Sequence, residues 1–254
     1  MARQAGGTFL LRIEDIDRSR ARPDWEAQIY DDLRWLGLDW PEPVMRQSDR
    51  QAAYDAALDA LWDRGLLYPC SCTRADIAAA TSAPQEGVPL LGPDGVVYPG
   101  TCREKSDRSG PRPRDTALRL DMGRATADLD RLTFEETGLD PATVTVKAAE
   151  LRDAVGDVVL ARRDMGTSYH LSVVLDDGAQ GVSDVVRGHD LFDATQIHVL
   201  LQHLFDLSTP RYHHHRLIRD EAGKRLAKCD DARAISLYRS EGITPEEIRR
   251  LVGL

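Results

Sequence analysis

Three cysteines carry the first recognisable chemistry. Cys70, Cys72 and Cys102 are three of the four cysteines in the chain, and Tyr98 stands just ahead of the last of them. Thiolates are soft donors that suit Zn²⁺ in a tetrahedral site, and the fourth position is open to the Tyr98 phenolate or to water. A Cys-x-Cys gap is tighter than the usual zinc spacing, so buried cysteines without a metal fit the same pattern. The set suits a metal in a reducing compartment better than a secreted disulfide frame. A closed site of this kind would join the ends of a loop and contribute folding energy.

Near the C-terminus, Gly223-Lys224-Arg225-Leu226-Ala227-Lys228 holds two of the chain's four lysines. Lysines gathered on a glycine-started loop suggest point charges for a phosphate chain, although a solvated basic turn has the same composition. Arg187 ends the run Val185-Val186-Arg187, and Glu14 follows Thr8-Phe9-Leu10-Leu11-Arg12-Ile13 in the analogous place. Open α/β sheets bind ligands at the carboxyl ends of their strands. A guanidinium there clamps a carboxylate and a carboxylate there accepts an ammonium, which together suit an acidic amino acid; a structural ion pair is the alternative. The triplet His213-His214-His215 does not suit a metal. On a strand His213 and His215 share one face while His214 points to the other. No Ser-His-Asp order, Walker loop or Gly-x-Gly-x-x-Gly motif is present.

The elements that must position these groups follow from periodicity. Met1 to Gly7 reads as the last turn of a helix, and Thr8 to Ile13 as a buried strand. Pro23 opens a helix in which Trp25, Ile29, Leu33 and Leu36 recur at helical spacing, and Gly37 ends it. A second helix runs from about Arg50 to Arg64, with Gly65 as its stop. The stretch from Ala78 to Gly100, rich in Gly, Pro, Ala and Ser, reads as a long surface loop whose ends need fixing. A strand is expected from Thr116 to Asp121, and the signals from there to about Asp153 are mixed. Val158-Val159-Leu160 (strand), Tyr169 to Asp176 (helix), Val182 to Arg187 (strand) and Thr195 to Phe205 (helix) then alternate as βαβ units do. Thr244-Pro245-Glu246-Glu247 is a capping box opening a closing helix.

The 254 residues, 42% hydrophobic, suffice for one substantial core and a smaller module. No run approaches the roughly 18 to 20 apolar residues of a membrane span, and no signal peptide is recognisable, so the cytoplasm is the expected compartment and no membrane partner is expected. A net charge of −9 argues against a general nucleic-acid coat but leaves room for a local basic face that grips a structured RNA.

Leu11-Arg12-Ile13-Glu14-Asp15-Ile16-Asp17, the Cys70/Cys72/Tyr98/Cys102 set, Tyr169 with Val173-Val174-Leu175-Asp176-Asp177, Val186-Arg187-Gly188-His189-Asp190-Leu191 and the Lys224 to Lys228 loop together resemble one family. It is the glutamyl-queuosine tRNA(Asp) synthetases, shortened relatives of glutamyl-tRNA synthetase. The resemblance implies an α/β class I synthetase-type Rossmann fold, a parallel sheet with helices on both faces, carrying a zinc-bearing insertion. It implies that ATP, with Mg²⁺, activates L-glutamate, and that the glutamyl group then passes to queuosine in the anticodon of tRNA(Asp). It further implies that Glu14 and Tyr169 hold the ammonium and Arg187 the side-chain carboxylate, and that Cys70, Cys72, Tyr98 and Cys102 hold Zn²⁺. Lys228, with Arg225 ahead of it, would stabilise charge on the phosphates as the glutamate carboxylate attacks. In this loop Arg225 replaces the family's first lysine and Ala227 its serine, which keeps the charge and removes one hydroxyl.

The family pattern also begins with a strand, a His-Ile-Gly-His-type signature and a helix, which do not precede Glu14 in this sequence. The expectation is therefore that residues ahead of Met1 belong to the working protein. The expected division is 1–67 for the first part of the Rossmann catalytic domain, 68–150 for the zinc-bearing insertion and a connecting subdomain, and 151–254 for its second part, with the phosphate-binding loop and closing helices. A monomer is expected. A truncated glutamyl-tRNA synthetase and a non-catalytic, zinc-stabilised module that binds tRNA or protein are the other readings.

Overall fold

The structure, a computed structural model, describes residues 1–81, 90–219 and 234–253. In chain order the elements begin with β1 (Arg12–Ile13), α1 (Pro23–Trp35), β2 (Met45–Arg46), α2 (Gln51–Asp63), β3 (Leu67–Cys70), α3 (Arg74–Thr81), β4 (Leu91–Gly92) and β5 (Gly95–Val96). Next come β6 (Ala117–Leu120), α4 (Met122–Ala125), β7 (Arg131–Glu136), β8 (Ala142–Lys147), α5 (Ala148–Glu150) and β9 (Val159–Ala161). The chain continues with α6 (Tyr169–Gln180), β10 (Asp184–Gly188), α7 (Thr195–Leu204), β11 (Arg211–His215), α8 (Ile235–Ser240) and α9 (Pro245–Val252). They form two compact units, one of residues 1–49 with 217–254 and the other of residues 50–216. Among the described residues no helix is long and apolar enough to cross a membrane.

In the smaller unit β1 and β2 pair in parallel, Arg12 beside Met45 and Ile13 beside Arg46. Met1 to Gly7 closes as expected of a helix tail: Gly7 N–H donates to Ala2 O at 2.8 Å and Gly6 N–H to Arg3 O at 3.3 Å, with Gly6 left-handed at φ 68°. The strand is shorter than expected, because only Arg12 and Ile13 find a pairing partner in this unit, and Phe9 stays exposed. Helix α1 ends at Gly37, whose φ of 73° favours glycine. Its apolar stripe is not a core face, since Trp25 and Ile29 remain 47% and 41% exposed. Polar contacts fasten the helix instead. Arg46 pairs with Glu26, Arg239 with Asp31 at 2.6 Å, and Arg249 donates to Leu36 O at 2.6 Å. The capping box of α9 is present, with Glu247 N–H donating to Thr244 Oγ1 at 3.3 Å and Thr244 N–H to Glu247 Oε2 at 2.7 Å.

The larger unit holds the core. Strands β3, β6 and β9 form an antiparallel sheet, and β10, β11, β7 and β8 form a second sheet in that order. Leu58, Leu61, Leu67, Leu118, Leu120, Leu160, Leu171, Ile197, Leu200 and Leu201 have no exposed surface. A βαβ unit is present as β10–α7–β11, whose strands pair in parallel with Arg187 beside His214, whereas the expected one, β9–α6–β10, does not form because its two strands lie in different sheets. The Val159 strand departs from that expectation, because β9 pairs antiparallel with β6 in the other sheet. The stretch of mixed signals is the antiparallel pair β7–β8, where Phe134 and Glu136 alternate inward while Thr133 and Glu135 face water. Of the long loop expected from Ala78, residues 82–89 lie outside the described residues. The alanine-rich start completes α3, and the Gly92-Pro93-Asp94-Gly95 turn closes the β4–β5 hairpin.

Ser168 caps α6 by accepting from Leu171 N–H at 3.4 Å, and Gly181, left-handed at φ 62°, ends the helix. Its buried Asp176 accepts from Arg50 Nε at 2.6 Å and from the Tyr54 hydroxyl at 2.8 Å, joining α6 to α2. Leu160 fills the centre of β9, so Leu160→Ala should cost about 2–5 kcal/mol from lost contacts and a residual cavity. Urea unfolding of the two forms measures this, and a loss under about 1 kcal/mol would contradict the packing described.

Candidate active site and metal centre

Tyr169 and Arg187 come together around one imidazole. Tyr169 is the first residue of α6, and Arg187 lies near the end of β10. His198 of α7 stands between them: its ring centre is 5.7 Å from that of Tyr169, and its Nδ1 accepts from Arg187 Nη1 at 2.9 Å. Arg187 also donates through Nε to His214 Nε2 at 3.1 Å, and through Nη2 to Thr195 Oγ1 at 2.7 Å and Leu191 O at 3.3 Å. Its guanidinium lies 5.1 Å from the Tyr212 ring centre. Parallel pairing of Arg187 with His214 sets both side chains on one face, which is why β11 can supply that acceptor. Among the described residues no carboxylate forms an ion pair with Arg187.

The flanking rings are held in turn. His214 donates from Nδ1 to the buried Glu136 of β7, whose carboxylate also accepts from His214 N–H at 3.1 Å and Gly138 N–H at 2.6 Å. Phe192 packs edge-on against the His214 imidazole at 5.2 Å, and Tyr212 stacks on it at 6.0 Å. Burial, reinforced by the Arg187 charge, pushes the His198 pKa well below 6.5. Burial lowers that of His214 as well, against the pull of Glu136. Although burial works the other way on Glu136, hydrogen bonds from His214 and Gly138 hold its pKa below the usual carboxylate range. The guanidinium therefore rests on neutral acceptors.

The sequence placed Tyr169 and Arg187 in the site. It missed His198, His170, Thr195 and Glu136, and it considered His214 only as a poor metal ligand. The faces of β11 are as expected: His214 is fully buried, while His215 is exposed. A histidine on the buried stripe of α7 and a glutamate on the inward face of β7 were the available signals. Glu14 follows β1 in the smaller unit, where it accepts from Arg12 at 3.2 Å. Arg225 and Lys228 lie outside the described residues.

The cysteine set converges within the larger unit. The sulfurs of Cys70, Cys72 and Cys102 all lie within 4.8 Å of one another, with Cys72 and Cys102 3.5 Å apart. The Tyr98 hydroxyl is 3.5 Å from the Cys70 sulfur and 3.3 Å from that of Cys72. A tetrahedral ion with metal–sulfur bonds of about 2.3 Å spaces its sulfurs by about 3.8 Å and a sulfur and an oxygen by about 3.5 Å. The donor set fits. Burial raises the Cys72 thiol, whereas Cys102 is drawn down to about 7, because hydrogen bonds from Tyr98, Ser71 N–H and the other thiols outweigh its burial. Arg119 places a cation beside the cluster, donating to Cys70 Sγ at 3.4 Å and lying 3.8 Å from the Tyr98 ring centre.

Known proteins resemble this chain along its whole length. The sequence profile of the tRNA synthetases class I (E and Q), catalytic domain, matches residues 1–254. A glutamyl-Q tRNA(Asp) synthetase of Rhodobacter capsulatus is 63% identical over 258 residues, spanning 100% of this chain and 91% of that protein. This chain belongs to the glutamyl-Q tRNA(Asp) synthetase family. A member from Nocardia farcinica is 42% identical over 99% of the chain and 75% of its own length. Among solved structures, glutamate-tRNA synthetases from Elizabethkingia meningosepticum and Elizabethkingia anophelis match with TM-scores of 0.71 and 0.72, each at 23% identity and over 98% of the chain. The chain spans only 54% and 55% of those two proteins, and the likeness shows a class I synthetase fold of mixed α/β content.

The candidate metal centre has a direct check. Purified protein should carry one equivalent of bound metal, Cys102→Ala should carry none, and a strong chelator should lower the unfolding midpoint by several degrees. Full metal content in Cys102→Ala would contradict the assignment.

Proposed function

We propose that this member of the glutamyl-Q tRNA(Asp) synthetases uses ATP, with Mg²⁺, to activate L-glutamate and transfers the glutamyl group to queuosine in the anticodon of tRNA(Asp). The observation that carries the reading is a guanidinium, Arg187, tethered by neutral groups and left without a carboxylate partner among the described residues. A fixed, uncompensated cation favours a substrate with a side-chain carboxylate over its amide analogue. Tyr169, against the same imidazole, and Glu14 are assigned to the substrate's ammonium. Arg225 and Lys228 are assigned to the ATP phosphates, where their charge would offset that developing on the leaving pyrophosphate. No nucleophilic side chain is required, because the glutamate carboxylate itself attacks the α-phosphorus and catalysis is positioning plus electrostatics.

Cys70, Cys72, Cys102 and Tyr98 are assigned to Zn²⁺, the metal that best suits a thiolate-rich tetrahedral set. With every position taken by the protein, such an ion supplies no open coordination site and serves to hold the segment together. Arg119 and Arg103 support that role, since both bind Asp157, Arg119 through the backbone carbonyl at 2.7 Å and Arg103 through the carboxylate at 2.7 Å.

Glutamate-dependent exchange between ATP and pyrophosphate, followed by charging of queuosine-containing tRNA(Asp) and of tRNA(Glu), tests the reading. Glutamyl transfer should go to queuosine-containing tRNA(Asp), and Arg187→Gln should lower kcat/KM for glutamate about 100-fold. Charging of tRNA(Glu) alone, or an unchanged Arg187→Gln, would overturn it.

A further inference from the structure

Arg187 is the middle of a line of polar groups that crosses the larger unit. Asp94 Oδ1 lies 3.5 Å from His170 Nε2, His170 Nδ1 lies 3.1 Å from His198 Nε2, and His198 Nδ1 lies 2.9 Å from Arg187 Nη1. On the other side Arg187 Nε lies 3.1 Å from His214 Nε2, and His214 Nδ1 meets Glu136. Arginine has donors only, so His198 Nδ1 and His214 Nε2 must present lone pairs. His198 therefore carries its proton on Nε2 and donates it to His170 Nδ1. His170 in turn directs its Nε2–H at Asp94, and His214 directs its Nδ1–H at Glu136. Each of the six ring nitrogens then has one role, and each imidazole has one proton.

We propose that the neutral, single-tautomer state of His198 and His214 is what positions Arg187 for a substrate carboxylate. Protonating either ring, or removing its acceptor, releases the guanidinium and weakens glutamate binding. An imidazolium nitrogen facing Arg187 would set N–H against N–H and charge against charge, so the failure is repulsive as well as a lost bond. His198 and His214 are thus positioning residues, and Glu136 and Asp94 fix their tautomers from the two ends. This rests on the reading of the site as one for glutamate.

The depressed pKa values set the sign. Both rings are neutral above the ordinary histidine value of 6.5, and each gains its proton only at a pH below it, so glutamate affinity is full at neutral pH and is lost on the acid side. The other groups that face the line are Tyr169, Tyr212 and His189, with Arg162 and Arg119 near Asp94. Burial pushes the Tyr212 hydroxyl up to about 12, so it carries no charge in this range.

The test compares His198→Leu with His198→Gln in the full chain, reading equilibrium binding of L-glutamate and the separate KM values for glutamate and ATP. Gln offers a carbonyl oxygen to Arg187, and Leu offers nothing. His198→Leu should weaken glutamate binding about tenfold or more with little change in the KM for ATP, and His198→Gln should restore most of the loss. His198→Gln should also lack the part of the acid-side decline that His198 contributes, leaving only that due to His214. Equal losses in the two variants, an unchanged Leu variant, or parallel rises in both KM values would overturn the proposal. If neither variant keeps the unfolding midpoint of the parent, His214→Gln, whose amide oxygen can replace Nε2, against His214→Leu decides by the same criteria. Failure of the parent protein to bind glutamate counts against the substrate reading, and it is seen before any variant is compared.

Discussion

A guanidinium that must be rigid yet unneutralised sets the terms for this site. Carboxylates would hold Arg187 firmly but would cancel the charge a ligand needs, and water would leave it mobile. Imidazole lone pairs, a threonine hydroxyl and a main-chain carbonyl meet both demands. Those acceptors are themselves costly to bury unless satisfied, which explains why Glu136, His170 and Asp94 lie behind them. Glu136 thus stands one imidazole away from the arginine and Asp94 two.

The elements of the larger unit follow from that requirement. Parallel pairing of β10 with β11 sets Arg187 beside His214, α7 brings Thr195 and His198 across the crossover, and β7 presents Glu136 from the next strand. The cysteine centre enters the same system through the segment it closes. Cys72 and Cys102 bracket the β4–β5 hairpin, and Asp94 in the turn of that hairpin faces His170. Gly92 and Gly156 allow the hairpin to lie close to its neighbours: a Cβ on Gly92 would stand 2.5 Å from Ala154 O, and Gly156 has a φ of 70° and would meet Val97.

Much of this was legible in the sequence wherever one local rule dominated. Helices α1 and α2 ended at Gly37 and Gly65 as their spacing required, and the capping box at Thr244 formed. The sulfurs of Cys70, Cys72 and Cys102 came together with the Tyr98 hydroxyl beside them, as a set of soft donors bracketing one loop suggested. Partner choice was harder to read. Val159-Leu160 has the composition of a strand in either sheet, and its antiparallel partner β6 lies some forty residues earlier in the chain. The β7–β8 pair was obscured because one of the two buried residues of β7 is a glutamate, whose burial makes sense only once His214 is beside it. The same holds for His198, an isolated polar residue on an apolar stripe until Arg187 and His170 flank it.

The central claim concerns where three protons sit, and nuclear magnetic resonance of the imidazole nitrogens reads that directly. Long-range proton–nitrogen correlation at neutral pH should show His214 protonated on Nδ1 only, and His170 and His198 protonated on Nε2 only. An imidazolium pattern for His198 or His214, or the opposite tautomer for either, would contradict the account, because Arg187 would then face a donor where it needs an acceptor.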